Sequence, residues 1–213
     1  MNIEFKDVFP NVFADQALSG SDIWKNVLFL EKGKKYLVQA ESGGGKSSML
    51  AYIYGERYDY HGQILFDEND ISTFKNGKWS ALRNKHLSIV FQGLRLFGEI
   101  SVLENVQLKN KLTTYKTESE IINMLNTLEI GDKVHKPAAR LSFGQRQKVA
   151  IVRALCQPMD FLLLDEPFSH LDERNRKLAA SMISEEIDKQ KAGLIITTLS
   201  SENYFDGIEK LKL

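Results

Sequence analysis

Glycine, lysine and serine crowd into one short segment, AESGGGKSS at residues 40–48, which follows the apolar run KYLVQ. Its three glycines let the backbone curl close to an anion without a Cβ in the way. Lys46 adds a positive charge, and Ser47 adds a hydroxyl that can reach a metal ion. The segment therefore predicts a phosphate-binding loop; the alternative is a flexible glycine loop beside a surface lysine. The residues assigned to this loop are Ser42, Gly43, Gly44, Gly45, Lys46, Ser47 and Ser48.

One position departs from the phosphate-loop pattern G-x-x-x-x-G-K-S/T, which asks for a glycine where this chain has Ala40. Ala40 stands at the end of the apolar run, and a methyl group is tolerable there if φ is negative. We expect nucleotide binding to be weakened at worst.

Two adjacent carboxylates end a second apolar run, FLLLDEPFSHLD at residues 161–172. Neighbouring residues on a strand point to opposite sides, so the two acids are expected to have different tasks. Asp165 can hold Mg²⁺, which prefers carboxylate oxygen. Glu166 can orient or deprotonate a water that attacks the γ-phosphate. The alternative is a strand capped by two solvated acids.

Short apolar runs must position these residues. They occur at 35–40, 87–92, 161–167 and 193–199 and are too continuous for half-exposed strands. They predict parallel strands buried on both faces, in an α/β fold. Segments 2–8 and 62–67 are expected to form a small antiparallel arm.

A helical block lies between the second and third runs. Capping boxes at Thr117–Glu120 and Ser142–Gln145 predict helix starts, and Gly131 suits a helix stop. We predict one domain over 1–213. Its α/β core covers about 1–92 and 151–213, and a helical subdomain covers about 93–150.

Composition restricts the class of protein. Lys plus Arg equals Asp plus Glu at 28 each, which does not favour nucleic-acid binding. Cys156 is the single cysteine, so no internal disulfide is possible and a reducing compartment is expected. The amino-terminal residues are charged, and no apolar run reaches the roughly 18 residues of a membrane span. We expect a cytoplasmic protein that reaches a membrane only through a partner.

RLSFGQRQKVAIVRAL, residues 140–155, adds the segment that indicates a family. With it, the chain resembles the nucleotide-binding subunit of ATP-binding cassette (ABC) transporters over nearly its whole length. Five motifs fall in the family's order: AESGGGKSS resembles Walker A, VFQGLRLF the Q-loop, LSFGQ the signature, LLLDE Walker B and SHLD the D-loop.

The resemblance implies ATP and Mg²⁺ as cofactors and two subunits that sandwich two ATP molecules. It implies that Ser142 and Gly144 face the γ-phosphate in the other subunit and that Gln145 holds that helix end. Gln92 would touch Mg²⁺ or the attacking water. Phe13 is our candidate for the aromatic ring that stacks on adenine, with Phe9 as the rival.

Two further departures from the family pattern stand out. Phe143 replaces the middle glycine of the signature, where family members often carry a bulky residue. Thr198 stands where the family usually has a histidine that hydrogen-bonds the γ-phosphate. Loss of one such donor can cost roughly 10²–10³ in rate, so slow hydrolysis through Glu166 is expected.

The resemblance implies an ATPase subunit that powers a membrane transporter as a homodimer or heterodimer. RLFGEISVLENV is similar to the short transporters of the lipoprotein-release, macrolide-export and cell-division type. An apolar groove for the membrane partner is expected at Leu94, Leu96, Phe97 and Ile100; the alternative is that these residues form the core of the helical subdomain.

Two other functions stay open. One is a nucleotide-controlled switch with weak or no hydrolysis that regulates a membrane partner, which Thr198 favours and Glu166 opposes. The other is a soluble ABC ATPase that works on DNA or ribosomes, which usually needs a coiled coil or tandem cassettes.

Overall fold

The computed structural model describes residues 1–14, 20–41, 43–199 and 202–213. Its strands are β1 (Ile3–Pro10), β2 (Val27–Leu30), β3 (Lys35–Gln39), β4 (Tyr60–Phe66), β5 (Asn69–Asp70), β6 (Leu87–Val90), β7 (Phe161–Asp165), β8 (Gly193–Thr198) and β9 (Ile208–Lys212). Its α-helices are α1 (Lys46–Ile53), α2 (Asn76–Lys85), α3 (Val102–Asn110), α4 (Glu118–Thr127), α5 (Phe143–Leu155) and α6 (Glu173–Gln190).

A parallel sheet with the strand order β6-β7-β8-β3-β9 forms the centre of the fold. The four predicted apolar runs are its strands β3, β6, β7 and β8, and every residue of β6 and β7 is buried. The prediction of an α/β fold with buried parallel strands is thus confirmed. At the edge, β9 adds a fifth strand, which the sequence pattern does not predict.

Alternate residues of the central strands serve two different apolar layers, as strand geometry requires. Leu162 and Leu164 belong to the core that β7 shares with α5 and α6. Phe161 and Leu163 face the opposite way, into the core shared with α1 and the amino-terminal sheet. This second sheet is antiparallel, with the order β2-β1-β4-β5, and contains the arm predicted from segments 2–8 and 62–67.

Helices α3 and α4 fill the segment after β6, and α4 begins at the predicted capping box of Thr117 and Glu120. The predicted stop at Gly131 is wrong: α4 ends at Thr127, and Glu129 takes the left-handed conformation that follows it. Gly131 serves a close approach instead, because a Cβ there would lie 1.6 Å from Asn126 Oδ1.

Helix α5 begins at the predicted capping box of Ser142 and Gln145 and continues to Leu155. It therefore crosses residue 150, the expected boundary between subdomain and core. No helix in the described ranges has both the length and the apolar character to cross a membrane.

A charge cluster lies at the amino-terminal edge of the sheet, just before β7. Asp160 is nearly buried and accepts a hydrogen bond from Lys32 Nζ, and its Oδ2 lies 2.6 Å from His86 Nδ1. Burial acts to raise the pKa of Asp160, but the hydrogen bonds from Lys32 and His86 outweigh it and hold the pKa below its ordinary value.

Candidate functional site

The carboxyl ends of the parallel strands bring the predicted residues to one edge of the sheet. Strand β3 leads into the glycine loop, β6 leads to Gln92, and β7 ends at Asp165. Thr198, at the end of β8, pairs with Gln39 at the end of β3. This edge is where open parallel sheets bind ligands.

The glycine loop needs two of its glycines for their backbone conformation. Gly43 has φ +85° and Gly45 has φ +94°, a left-handed region that strains other residues. A Cβ on Gly44 would lie 2.9 Å from the Ala40 methyl group, so Ala40 packs directly against the loop. Ser42, which we assign to the same loop, lies outside the described residues.

Lys46 is folded into this loop. Its Nζ donates hydrogen bonds to the carbonyl oxygens of Ala40 at 2.8 Å and Glu41 at 3.0 Å, and only 6% of the residue is exposed. An ammonium group has three N–H donors, and these two hydrogen bonds within the described residues engage two of them.

Phe13 lies at the loop and Phe9 does not. Phe13 is the last residue of a short 3-10 turn, Asn11–Phe13. Its ring atom Cε2 would lie 3.2 Å from a Cβ on Gly45. Phe9 instead stacks on His61, with the ring centroids 4.8 Å apart. Between the two candidate adenine platforms, the geometry favours Phe13.

Phe13 and the glycine loop line one cleft of about 390 Å³. The cleft extends from the glycine loop and the turn that ends at Phe13 to Gln92 and Glu166, the two side chains expected to orient or deprotonate the attacking water. The residues that line it are Val12, Phe13, Gly43, Gly45, Lys46, Ser47, Ser48, Arg57, Gln92 and Glu166.

Asp165 is fixed by its neighbour in the sheet. Thr197 Oγ1 donates a hydrogen bond of 2.7 Å to Asp165 Oδ1, and both residues are buried. Asp165 shares an adjoining cleft with Ser47 and Gln92. Their carboxylate, hydroxyl and amide oxygens are hard donors, which fits Mg²⁺ held in part by nucleotide phosphates. Over the described ranges, no three His, Cys, Asp or Glu side chains form a metal-binding group.

Glu166 has an unusual backbone with φ +48°, immediately before Pro167. Its N–H donates to the Thr197 carbonyl at 3.1 Å, and its Oε2 accepts a long hydrogen bond of 3.5 Å from Gln92 Nε2. Thr198 lines a small cavity of about 130 Å³ together with Glu166. Of the three predicted catalytic side chains, the structure therefore places Gln92 and Glu166 in the glycine-loop cleft. Thr198 is not among the described residues that line that cleft and reaches only the separate cavity that Glu166 shares.

The LSFGQ segment lies elsewhere. Ser142 caps α5 by accepting a hydrogen bond from Gln145 N–H at 3.3 Å. A Cβ on Gly144 would lie 2.7 Å from the His170 carbonyl oxygen, and the Phe143 and His170 rings lie 4.2 Å apart. Among the described residues that line the glycine-loop cleft, none comes from this segment.

Three polar residues of the site are absent from our sequence prediction. Thr197 orients Asp165 through its hydroxyl. Gln147 Nε2 donates to the Glu166 carbonyl at 3.2 Å, and its Oε1 accepts from His170 N–H at 3.3 Å. Arg57 lines the cleft beside Ser48.

The expected apolar groove divides into two environments. Leu94 belongs to the core and Leu96 packs against it, which matches the alternative role for this set. Ile100 is half-buried, whereas 61% of Phe97 is exposed. Phe97 lines a cleft of about 240 Å³ with Phe91 and other residues.

Comparisons with known proteins point to one family. A family model described as ABC transporter matches residues 26–169. The lipoprotein-releasing system ATP-binding protein LolD of Buchnera aphidicola is 33% identical over 180 residues, which is 83% of this chain and 79% of that protein. The thiamine import ATP-binding protein ThiQ of Haemophilus influenzae is 30% identical over 188 residues, which is 86% of this chain and 84% of that protein.

Solved structures show the same fold. The dimeric structure of MJ0796, a bacterial ABC transporter cassette, superposes with a TM-score of 0.82 at 22% identity and covers 99% of this chain and 94% of its own. A structure of the same cassette in a post-hydrolysis state with ADP and Pi has a TM-score of 0.82 at 21% identity, covering 98% of this chain and 94% of its own.

Proposed function

The chain belongs to the ABC transporter family, and we propose that it binds and hydrolyses ATP to power a membrane transporter through closure of a dimer. One observation carries the proposal. Lys46, Gln92 and Glu166 line a single cleft at the carboxyl edge of the sheet, and Asp165 lies in the cleft that adjoins it.

The loop binds the phosphates in this proposal. The backbone N–H groups at the start of α1 and the Lys46 ammonium hold the phosphate chain, and Phe13 stacks on adenine. Ser47, Gln92 and Asp165 would hold Mg²⁺, which when bound would neutralise charge on the phosphate oxygens. Ser48 lies on the wall of the same cleft.

Glu166 is the catalytic base. Its carboxylate accepts a proton from the attacking water. Gln92, which is hydrogen-bonded to the same carboxylate, orients that water. Thr198 supplies a hydroxyl donor toward the γ-phosphate. Because a neutral hydroxyl has a shorter reach than a histidine, we expect slow turnover.

A second subunit completes the site. Ser142, Gly144 and Gln145 lie outside the cleft of their own chain, at the exposed amino-terminal end of α5. We place them against the γ-phosphate bound by the partner, in a homodimer or a heterodimer. That helix end favours an anion because its N–H groups point outward.

An integral membrane subunit is the proposed partner that dimer closure acts on. Exposed Phe97, the last residue of the VFQGLRLF segment, offers apolar surface to a partner helix. The relatives named as parts of a lipoprotein-releasing system and of thiamine import support this role. We place the protein in the cytoplasm, peripheral on the inner face of the membrane.

A second function is favoured by one residue. Thr198 replaces the usual histidine, which suits a nucleotide-controlled switch that closes on ATP and hydrolyses little. Such a switch would regulate its membrane partner rather than drive it.

Glu166→Gln tests both functions, because the amide keeps the shape of the side chain and cannot accept a proton. We expect wild type to hydrolyse Mg-ATP, and the variant to lose about 10²-fold or more in rate and to form a stable ATP-bound dimer in size-exclusion chromatography. If both proteins bind ATP and dimerise alike without turnover, the switch is correct. If wild type binds no ATP, both proposals fail.

A further inference from the structure

Arg57 belongs to the cleft but to none of the sequence motifs. It lies after α1, ten residues beyond Ser47, and lines both the glycine-loop cleft and the adjoining one that contains Asp165. Its side chain is 43% exposed, so the guanidinium is open to a ligand.

The guanidinium is held in place along the wall of the cleft. Nη1 donates to Ser48 Oγ at 2.8 Å, Nε donates to Asp59 Oδ1 at 2.9 Å, and Nη2 donates to Asp59 Oδ2. A guanidinium has five N–H donors, so the hydrogen bonds within the described residues engage three of them. An anchored fork with spare donors is well suited to phosphate oxygens.

Arg57 also adds positive charge at the right point. Its hydrogen bond to Ser48 places it on the first turn of α1, the helix whose amino-terminal end and Lys46 already favour an anion. The Asp59 carboxylate raises the pKa of the guanidinium. Because the Asp59 carboxylate offsets part of this positive charge, Arg57 is expected to add only moderately to the affinity for a phosphate.

We propose that Arg57 contacts the phosphate chain of the bound nucleotide from the Ser48 side, as a second cation beside Lys46. This inference rests on the proposed function of the cleft as an ATP site. It assigns an affinity-determining residue that the family motifs do not contain.

A purely structural role makes a different prediction. The Asp59 carbonyl accepts hydrogen bonds from Asn11 N–H at 2.9 Å and from the Tyr52 hydroxyl at 3.2 Å. Asn11 starts the turn that carries Phe13. If Arg57 only anchors this region, its loss disturbs the adenine end of the site and leaves phosphate binding intact.

The experiment measures displacement of a fluorescent ADP analogue by ADP and by inorganic pyrophosphate at fixed Mg²⁺. Pyrophosphate reports the phosphate contacts alone. Arg57→Gln removes the charge, and Arg57→Lys keeps it. The matched control is Arg174→Gln, which removes another exposed arginine–carboxylate pair, with Glu129, away from the cleft. Melting temperatures without nucleotide confirm that each variant folds.

We expect Arg57→Gln to weaken both ADP and pyrophosphate by about tenfold. Arg57→Lys keeps the charge but loses the planar fork, so its pyrophosphate affinity should lie between those of wild type and Arg57→Gln. The Arg174→Gln control should stay within about threefold of wild type.

Weakened ADP with unchanged pyrophosphate would overturn the phosphate contact in favour of the anchoring role. Unchanged affinity for both would also overturn it. If Arg57→Gln does not fold, a tenfold loss of pyrophosphate affinity in a folded Arg57→Lys variant would equally refute the role of charge. Wild type that binds none of these ligands would instead refute the proposed function of the cleft.

Discussion

Removal of one buried hydroxyl is expected to lower both the affinity of the site for Mg²⁺ and the stability of the protein. Thr197→Val keeps the shape of the side chain but deletes the donor to Asp165 Oδ1, a hydrogen bond of 2.7 Å between buried groups. The Thr197 carbonyl, which accepts the Glu166 N–H, belongs to the backbone and is kept when the side chain changes. The substitution therefore acts on Asp165 and spares Glu166.

The magnitude follows from the geometry. A hydrogen bond to a charged group contributes about 1.5–3 kcal/mol, and Asp165 retains only 7% exposure with which to recover it from water. We expect the free energy of unfolding to fall by about 2 kcal/mol at neutral pH. Because loss of a partner behind a metal ligand typically costs 10- to 100-fold in metal affinity, the Mg²⁺ needed for half-maximal ATP binding should rise by about tenfold.

Thr197→Ser is the matched control, since it keeps the hydroxyl and loses a buried methyl group. It should cost about 1 kcal/mol of stability and leave the Mg²⁺ requirement unchanged. Urea denaturation and Mg²⁺ titration of nucleotide binding measure the two quantities. Should Thr197→Val show the same Mg²⁺ requirement as wild type, the hydroxyl does not orient Asp165 for the metal, and our reasoning is refuted.

Two further predictions concern packing and charge. Gly144→Ala would place a Cβ 2.7 Å from the His170 carbonyl oxygen, so turnover should fall about tenfold in an ATPase assay. Gly77→Ala in α2 is the control: its Cβ would meet open space, so the substitution should be neutral or slightly stabilising. Asp160→Asn should lower the free energy of unfolding by about 2 kcal/mol at neutral pH. The folded-state pKa of Asp160 lies below its ordinary value of 3.8, so the ionised carboxylate stabilises the fold at any pH above 3.8. This contribution is lost as the pH falls through the folded-state pKa. Urea denaturation of both proteins at neutral pH and below pH 3.8 should therefore show the difference shrinking, and a difference independent of pH would contradict this assignment.

The sequence predicts the centre of the fold better than its margins. Strands such as β7 are apolar up to the final Asp165 because both faces are covered, so their composition alone reveals them. Strand β9, IEKLK, is mostly exposed and lies at the sheet edge, where pairing to β3 rather than composition decides its conformation. Edge strands of this kind carry little local signal. The end of α4 is equally hard to predict, because Glu129 takes a left-handed conformation that favours glycine.

The site divides in a similar way. Glycines, Lys46 and the acid pair are recognisable because each belongs to a short contiguous pattern with its own chemistry. Thr197 looks like any β-branched strand residue, and Arg57 like any surface arginine. Their roles depend on what the folded chain places beside them: Asp165 in the neighbouring strand and Ser48 one turn into α1.

Glu166 shows why the acid turn and the signature helix must be treated as one unit. A left-handed backbone at a residue other than glycine costs roughly 1–3 kcal/mol, and persists only where surrounding contacts hold it. In this fold β8 holds its N–H through Thr197, and α5 holds its carbonyl through Gln147. Gln147 also accepts the His170 N–H, so the same side chain ties α5 to the turn after the acid pair. Because α5 begins at the residues proposed to meet the partner's nucleotide, a shift of that helix would act directly on the backbone of the proposed catalytic base.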